Sequence, residues 1–117
     1  MSPFGSSQYL VNFSTPSLTL QNVTIRDLSS KSVNYPLSLS TNTLVMKSVQ
    51  ILNMVAGIQL MTIEPWDDTQ ESNVTITGLT LSNNTSWGNI LFINIDTGNL
   101  AVSESHILDN VVIDESV

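Results

Sequence analysis

The chain has 117 residues, room for one compact domain, and 41% of them are hydrophobic while only 11% carry charge. That mixture is too apolar for a disordered chain and too poor in charge for a helical bundle; Ser, Thr and Asn beside Val, Ile and Leu are the material of short strands and tight turns. The formal charge of −7, with Arg26, Lys31 and Lys47 as the only bases, excludes binding to phosphate backbones and anionic membranes.

No cysteine is present, so disulfides and thiolate metal sites do not arise. Residues 1–17 have neither the basic start nor the apolar run of a signal peptide. No stretch approaches the ~18 unbroken apolar residues of a membrane-crossing helix.

Taken in chain order, the first element is the alternating Val11/Phe13 pair, which reads as a strand. A turn, Ser14-Thr15-Pro16-Ser17, leads into residues 18–28 (LTLQNVTIRDL). Leu37/Leu39 and Ser40-Thr41-Asn42-Thr43 then repeat the strand and the turn, and residues 44–54 (LVMKSVQILNM) follow. The third copy is interrupted: an acidic insertion, 64–73 (EPWDDTQESN), replaces the short turn before residues 74–84 (VTITGLTLSNN). Ile93/Ile95 and Asp96-Thr97-Gly98-Asn99 restore the pattern before residues 100–110 (LAVSESHILDN), and Val111, Val112 and Ile113 begin another strand.

The four long segments share one formula, apolar-x-apolar-x-x-apolar-x-apolar-x-[Asn/Asp], and they start 26, 30 and 26 residues apart. Their inward positions form four columns: Leu18, Leu44, Val74, Leu100; Leu20, Met46, Ile76, Val102; Val23, Val49, Leu79, Ser105; and Ile25, Ile51, Leu81, Ile107. Only Ser105 is polar. The single break in phase turns the chain while keeping both flanking strands apolar side inward. Two strands joined by a bend, a loop and a third strand make one coil of about 26 residues, and stacking coils ~4.8 Å apart aligns the columns. The fold class expected is all-β, a right-handed parallel β-helix of about four coils starting near 18, 44, 74 and 100, with residues 1–117 as a single segment. The competing architecture is a sandwich or jelly roll, against which stands the lack of Asn-Gly and Asp-Gly hairpin turns.

A polar column closes each segment: Asp27, Asn53, Asn83 and Asp109. Its expected role is a structural ladder, side-chain amides bonding backbone at the bend and the next coil's amide. The other reading is a row of oxygens for a metal.

On these columns the chain resembles the right-handed parallel β-helix superfamily, the pectate-lyase-like architecture, over about residues 9–110. In texture it is similar to β-helix repeats of large secreted and surface proteins of protists and bacteria. The resemblance lies in a repeat and not in an enzyme motif, so it implies fold and not activity.

No catalytic set emerges. Paired glycosidase carboxylates stand ~5 to 9.5 Å apart, whereas Asp27 and Asp109 are three coils apart, about 14 Å. Asp96 and Glu104 stand opposite uncharged residues. Arg26 neighbours Leu52, Lys47 lies between Gln21 and Thr77, and His106 follows Thr24, Gln50 and Thr80 in an outward column, with no acid to orient it. No cofactor and no metal site is expected.

Ligand binding concentrates on the insertion, where Glu64, Trp66, Asp67, Asp68 and Glu71 would form a Ca²⁺ site or a sugar platform. The opposite reading is a solvated loop whose tryptophan packs on the coil beneath, as Trp87 does after Asn83 and Asn84. Sequons make Asn73, Asn12, Asn22 and Asn84 glycosylation candidates, Asn83 being placed in the ladder. Neither end carries a polar cap; Asp114 and Glu115 are at most a gatekeeper. The expectation is a segment of a longer solenoid, or a subunit continued by a partner: a non-catalytic structural or interaction module of an extracellular or cell-surface protein. The alternative is a carbohydrate-binding or carbohydrate-active fragment. Partners are then other coils, a homo-oligomeric or filament partner, or carbohydrate; nucleic acid and membrane insertion are excluded.

Overall fold

The computed structural model describes residues 9–28, 34–95 and 97–113. Among them every regular element is a strand. The chain winds through three sheet faces in turn, and each circuit lays one strand on each face. The first circuit is β1 (Val11–Ser14), β2 (Ser17–Gln21) and β3 (Thr24–Arg26), and the second is β4 (Leu37–Ser40), β5 (Thr43–Lys47) and β6 (Gln50–Leu52). The third is β7 (Gln59–Glu64), β8 (Ser72–Thr77) and β9 (Thr80–Ser82), with the short β10 (Thr85–Ser86) at the return. The fourth is β11 (Asn89–Ile93), β12 (Gly98–Ser103) and β13 (His106–Leu108), closed by β14 (Val111–Val112). The three main sheets run β1-β4-β7-β11, β2-β5-β8-β12 and β3-β6-β9-β13, and all pairings are parallel. This is a parallel β-solenoid of four rungs.

The register is the one the apolar columns require. Leu18 pairs with Leu44, Leu44 with Val74 and Val74 with Leu100, and Ile25, Ile51, Leu81 and Ile107 follow suit. A one-residue slip would turn each column outward, so burial fixes the register. In the inner rungs Leu44, Met46, Ile51, Ile76 and Leu81 are completely buried, joined by Leu37, Leu39, Met61 and Ile63 from the first sheet.

Two corners of each rung are sharp, and both are built from the left-handed backbone region. The phase break falls on Asn22, Ser48, Gly78 and Glu104, with φ of 56°, 53°, 72° and 51°. The polar column falls on Asp27, Asn53, Asn83 and Asp109, with φ of 61°, 54°, 56° and 56°. Asn and Asp tolerate this region because their short side chains relieve its steric cost, which is about 1–2 kcal/mol for other L-residues. The β-ladder does not stop at either corner. Asn22 N–H donates to Lys47 O at 2.9 Å and Gln50 N–H to Val23 O at 2.8 Å; Asp27 N–H reaches Leu52 O at 3.1 Å and Asn53 N–H reaches Ser82 O at 3.0 Å.

That continuity corrects the expected role of the polar column. The backbone N–H groups of Asp27, Asn53 and Asn83 are satisfied by carbonyls of the neighbouring rung, and the side chains of Asp27, Asn53, Asn83 and Asp109 are all exposed. Among the described residues one side-chain link of that ladder is present, Asn53 Nδ2 to Asp27 Oδ1 at 2.9 Å. The buried amide ladder sits one residue later, at Asn84 and Asn110. Asn84 is fully buried. Its Nδ2 donates to Ile51 O and to Asn110 Oδ1, each at 3.0 Å, and its Oδ1 accepts Met54 N–H at 2.9 Å. Asn110 Oδ1 also accepts Asn84 N–H at 3.0 Å, while Asn110 Nδ2 reaches Leu81 O at 2.8 Å.

Candidate functional site

The acidic insertion enters as a loop of residues 65–71 between β7 and β8; Glu64 and Ser72 belong to the strands. It is held from the rung below by Asn42, only 4% exposed. Asn42 Oδ1 accepts Asp67 N–H at 2.8 Å, and its Nδ2 donates to Asp67 O at 3.0 Å. Asp67 in turn caps the loop's own turn, with Oδ1 accepting the Thr69 N–H at 2.9 Å and the Thr69 hydroxyl at 2.6 Å. The Thr69 hydroxyl and N–H hold the Asp67 carboxyl below its ordinary pKa, against a smaller opposing effect of desolvation.

These bonds give Asp67 a turn-forming role. Asp68 and Glu71 are exposed, as is Trp66 at 46%, so the tryptophan is not sealed against the coil beneath. Trp87 is half-buried. Among the described residues, no three His, Cys, Asp or Glu side chains converge where a metal ion could be held.

Of the residues weighed for catalysis, Arg26 pairs with Leu52 in register, Lys47 lies between Gln21 and Thr77, and His106 stands beside Thr80. Among the described residues Arg26 reaches its sequence neighbour, Nε to Asp27 Oδ2 at 2.9 Å, with both side chains exposed. The Asn53 amide and, after it, Arg26 hold the Asp27 carboxyl below its ordinary pKa. Asp96, Lys31, Asp114 and Glu115 lie outside the described residues.

Four sequons present an exposed asparagine: Asn12 on β1, Asn22 at the first bend, Asn73 on β8 and Asn83 at the polar corner. Asn73 Oδ1 accepts a bond from Asn99 Nδ2 at 3.1 Å. Asn84 is the exception and the correction. Its amide is fully enclosed and bonded on both atoms, so a glycan there is incompatible with the fold. Asn83, expected in the ladder, is the exposed member of that pair.

Two concavities stand out among the described residues. One, of about 270 Å³, lies on the outer face of the first sheet, lined by Tyr9, Tyr35, Ser38, Gln59, Thr62, Glu64 and Phe92. The Tyr9 and Tyr35 rings stand 6.4 Å apart and 34° from parallel, and the Thr62 hydroxyl donates to Gln59 Oε1 at 2.9 Å. Glu64 is the single residue common to this cleft and the acidic cluster. The cleft went unread in the sequence because its residues belong to outward columns, which look like ordinary solvated positions. Its signal was Tyr9 and Tyr35, one repeat apart in the outward direction.

The other, of about 320 Å³, has a wholly apolar wall and opens at the first rung, among Val11, Phe13, Leu20, Val23, Ile25 and core residues above them. The last rung is more open still: Leu100, Val102 and Ile107 are 49%, 51% and 55% exposed, whereas Leu44, Met46 and Ile51, their equivalents in the second rung, are completely buried.

Neither a protein-family model, nor a curated protein, nor a solved structure matches this chain.

Proposed function

We propose that the chain is a non-catalytic structural or interaction module of an extracellular or cell-surface protein, a stiff β-solenoid that joins neighbouring coils at its ends. The observation that carries this is the pair of bare terminal rungs. Inner rungs bury the same columns, whereas the first rung leaves Leu18, Leu20, Val23 and Ile25 only partly buried and the last leaves Leu100, Val102 and Ile107 about half exposed. Apolar surface of that extent favours association, and unpaired strand edges supply the hydrogen bonds for it. The exposed sequons Asn12, Asn22 and Asn73 fit an extracellular setting.

The test is a direct fusion of two full chains. A module built to join coils gains a buried junction, so the fusion unfolds in one cooperative transition at a higher denaturant midpoint than the single chain. Two independent transitions at the single-chain midpoint would refute the reading.

A second reading, carbohydrate binding, is favoured by the cleft on the first sheet rather than by the acidic loop. Tyr9, Tyr35 and Phe92 offer ring faces, and Ser38, Gln59 and Thr62 offer hydroxyl-bonding groups. Among the described residues Glu64 is the one charged group of the lining, which fits a neutral glycan better than an acidic one. Titration with neutral hexasaccharides, comparing wild type with Tyr35→Ala and Trp66→Ala, separates the two locations. Loss with Tyr35→Ala alone places the sugar in the cleft, and no saturable binding removes this reading.

A further inference from the structure

The two bare ends are not merely apolar; they are the same surface seen from opposite sides. Every junction inside the molecule sets a rung on the next by one rule, a parallel ladder with like columns in contact. The rule needs a lower rung with free upper edges and an upper rung with free lower edges, and among the described residues the last and first rungs are such a pair. We infer that the chain stacks head to tail on a second copy of itself, its last rung continuing into the copy's first rung in unbroken register. The inference rests on the module reading above and names the partner.

In that register Leu100 meets the copy's Leu18, Val102 its Leu20 and Ile107 its Ile25. Each pair repeats a contact already present between rungs: Leu18 with Leu44, Leu20 with Met46, Ile25 with Ile51. The repeat length is 26 residues at both the first and the last internal junction, so the two faces match in size as well as pattern. Because donor and acceptor faces differ, the contact is heterologous, and repeated translation along one axis builds an open filament instead of a closed ring.

One position modulates the contact. Asp109 of one copy falls beside Asp27 of the next, a like-charge pair where the internal junction has Asn53 donating to Asp27. Arg26, bonded to Asp27 from the same strand end, offers remaining guanidinium donors to the second carboxylate. Asp109→Asn restores the internal arrangement, and it alters an exposed left-handed position where Asn already serves in two other rungs. It is therefore expected to strengthen association on the order of fivefold without changing the fold.

The decisive experiment is sedimentation velocity on wild type and on two variants that each block one face, Leu20→Glu for the first rung and Val102→Glu for the last. Circular dichroism verifies that both keep their strands. Wild type is expected to grow with concentration into a ladder of sizes, and each blocked variant to stay monomeric. Their equimolar mixture should give a two-copy particle and nothing longer, since one open first rung then meets one open last rung. Wild type that is monomeric up to about 1 mM overturns the inference. So does a blocked variant that dimerises alone, which would mean like faces meet. If either blocked variant loses its strands, Asp109→Asn decides: unchanged or weaker association overturns the proposal. Free chains that stay apart while the fused pair gains stability would refute self-stacking alone; a fused pair without the gain would refute the module reading itself.

Discussion

Asn84 is the most exacting test of the internal structure. Replacing it by Ala strips the acceptor from Met54 N–H, the donor from Ile51 O and one of two bonds at Asn110 Oδ1. The side chain is fully buried, so water does not substitute without opening the rung. An orphaned buried N–H costs about 1–3 kcal/mol; the carbonyl has a second lone pair and loses less, and the vacated volume adds a smaller amount. The expected loss is about 2–4 kcal/mol, a large share of the ~5–15 kcal/mol that holds a domain together. Urea unfolding followed by circular dichroism should show a lower midpoint with an unchanged slope. Asn84→Leu separates the contributions, because the column already accepts Met54 one rung below; it fills the space and still leaves Met54 N–H unpaired. A loss below about 1 kcal/mol in both variants would refute the view that the buried amide ladder, and not the exposed Asp/Asn column, carries the polar load of the corner.

The glycines divide sharply. A Cβ on Gly98 would run into Ser72 O, so Gly98→Ala should cost more than about 3 kcal/mol or prevent folding, whereas on Gly78 it meets Ser48 at ordinary contact distance, 3.5 Å. Gly78→Asn, which matches Asn22 in the same column, should stay within about 1 kcal/mol of wild type by urea midpoint. Asn42→Ala should release residues 65–71 from the rung beneath, seen as faster limited proteolysis within the loop. Asp67 has a folded pKa below its unfolded value, so its contribution is full above the unfolded pKa and lost as pH falls through the folded one. Amide exchange in the loop, corrected for intrinsic rates, should therefore rise as pH drops below about 4, and Asp67→Asn should remove that dependence.

What was legible in the sequence follows from what repeats enforce. Inward columns such as Leu20, Met46, Ile76 and Val102 must stay apolar in every rung, so period and register stand out from composition alone. The corner was legible only in part. Asp27, Asn53, Asn83 and Asp109 drew notice because they are uniformly polar, yet their uniformity records a backbone conformation. The amides that face inward were hidden, since Leu28 and Met54 occupy the same column as Asn84 and Asn110. A column that is half apolar reads as irregular until the rungs are stacked. The Thr of the first two turns is explained as well, since Thr15 and Thr41 hydroxyls donate across the corner to Ser17 O and Thr43 O, at 3.3 and 3.1 Å. The cleft on the first sheet had no such enforcement, because outward positions are free to vary.

The two sharp corners have a counterpart in the third. At the phase-break corner the connection never changes length: residues 22–23, 48–49, 78–79 and 104–105. Between the first and second sheets it is 15–16, 41–42, 65–71 and 94–97. Length variation is tolerated there because the Asn42 side chain anchors the longer loop while its backbone keeps its bonds to the neighbouring rungs. The molecule thus separates a frame that must be copied from a margin that is free to be rewritten. New recognition elements, natural or grafted, have one obvious port of entry, and a peptide inserted between Pro65 and Glu71 would be displayed without disturbing a single column.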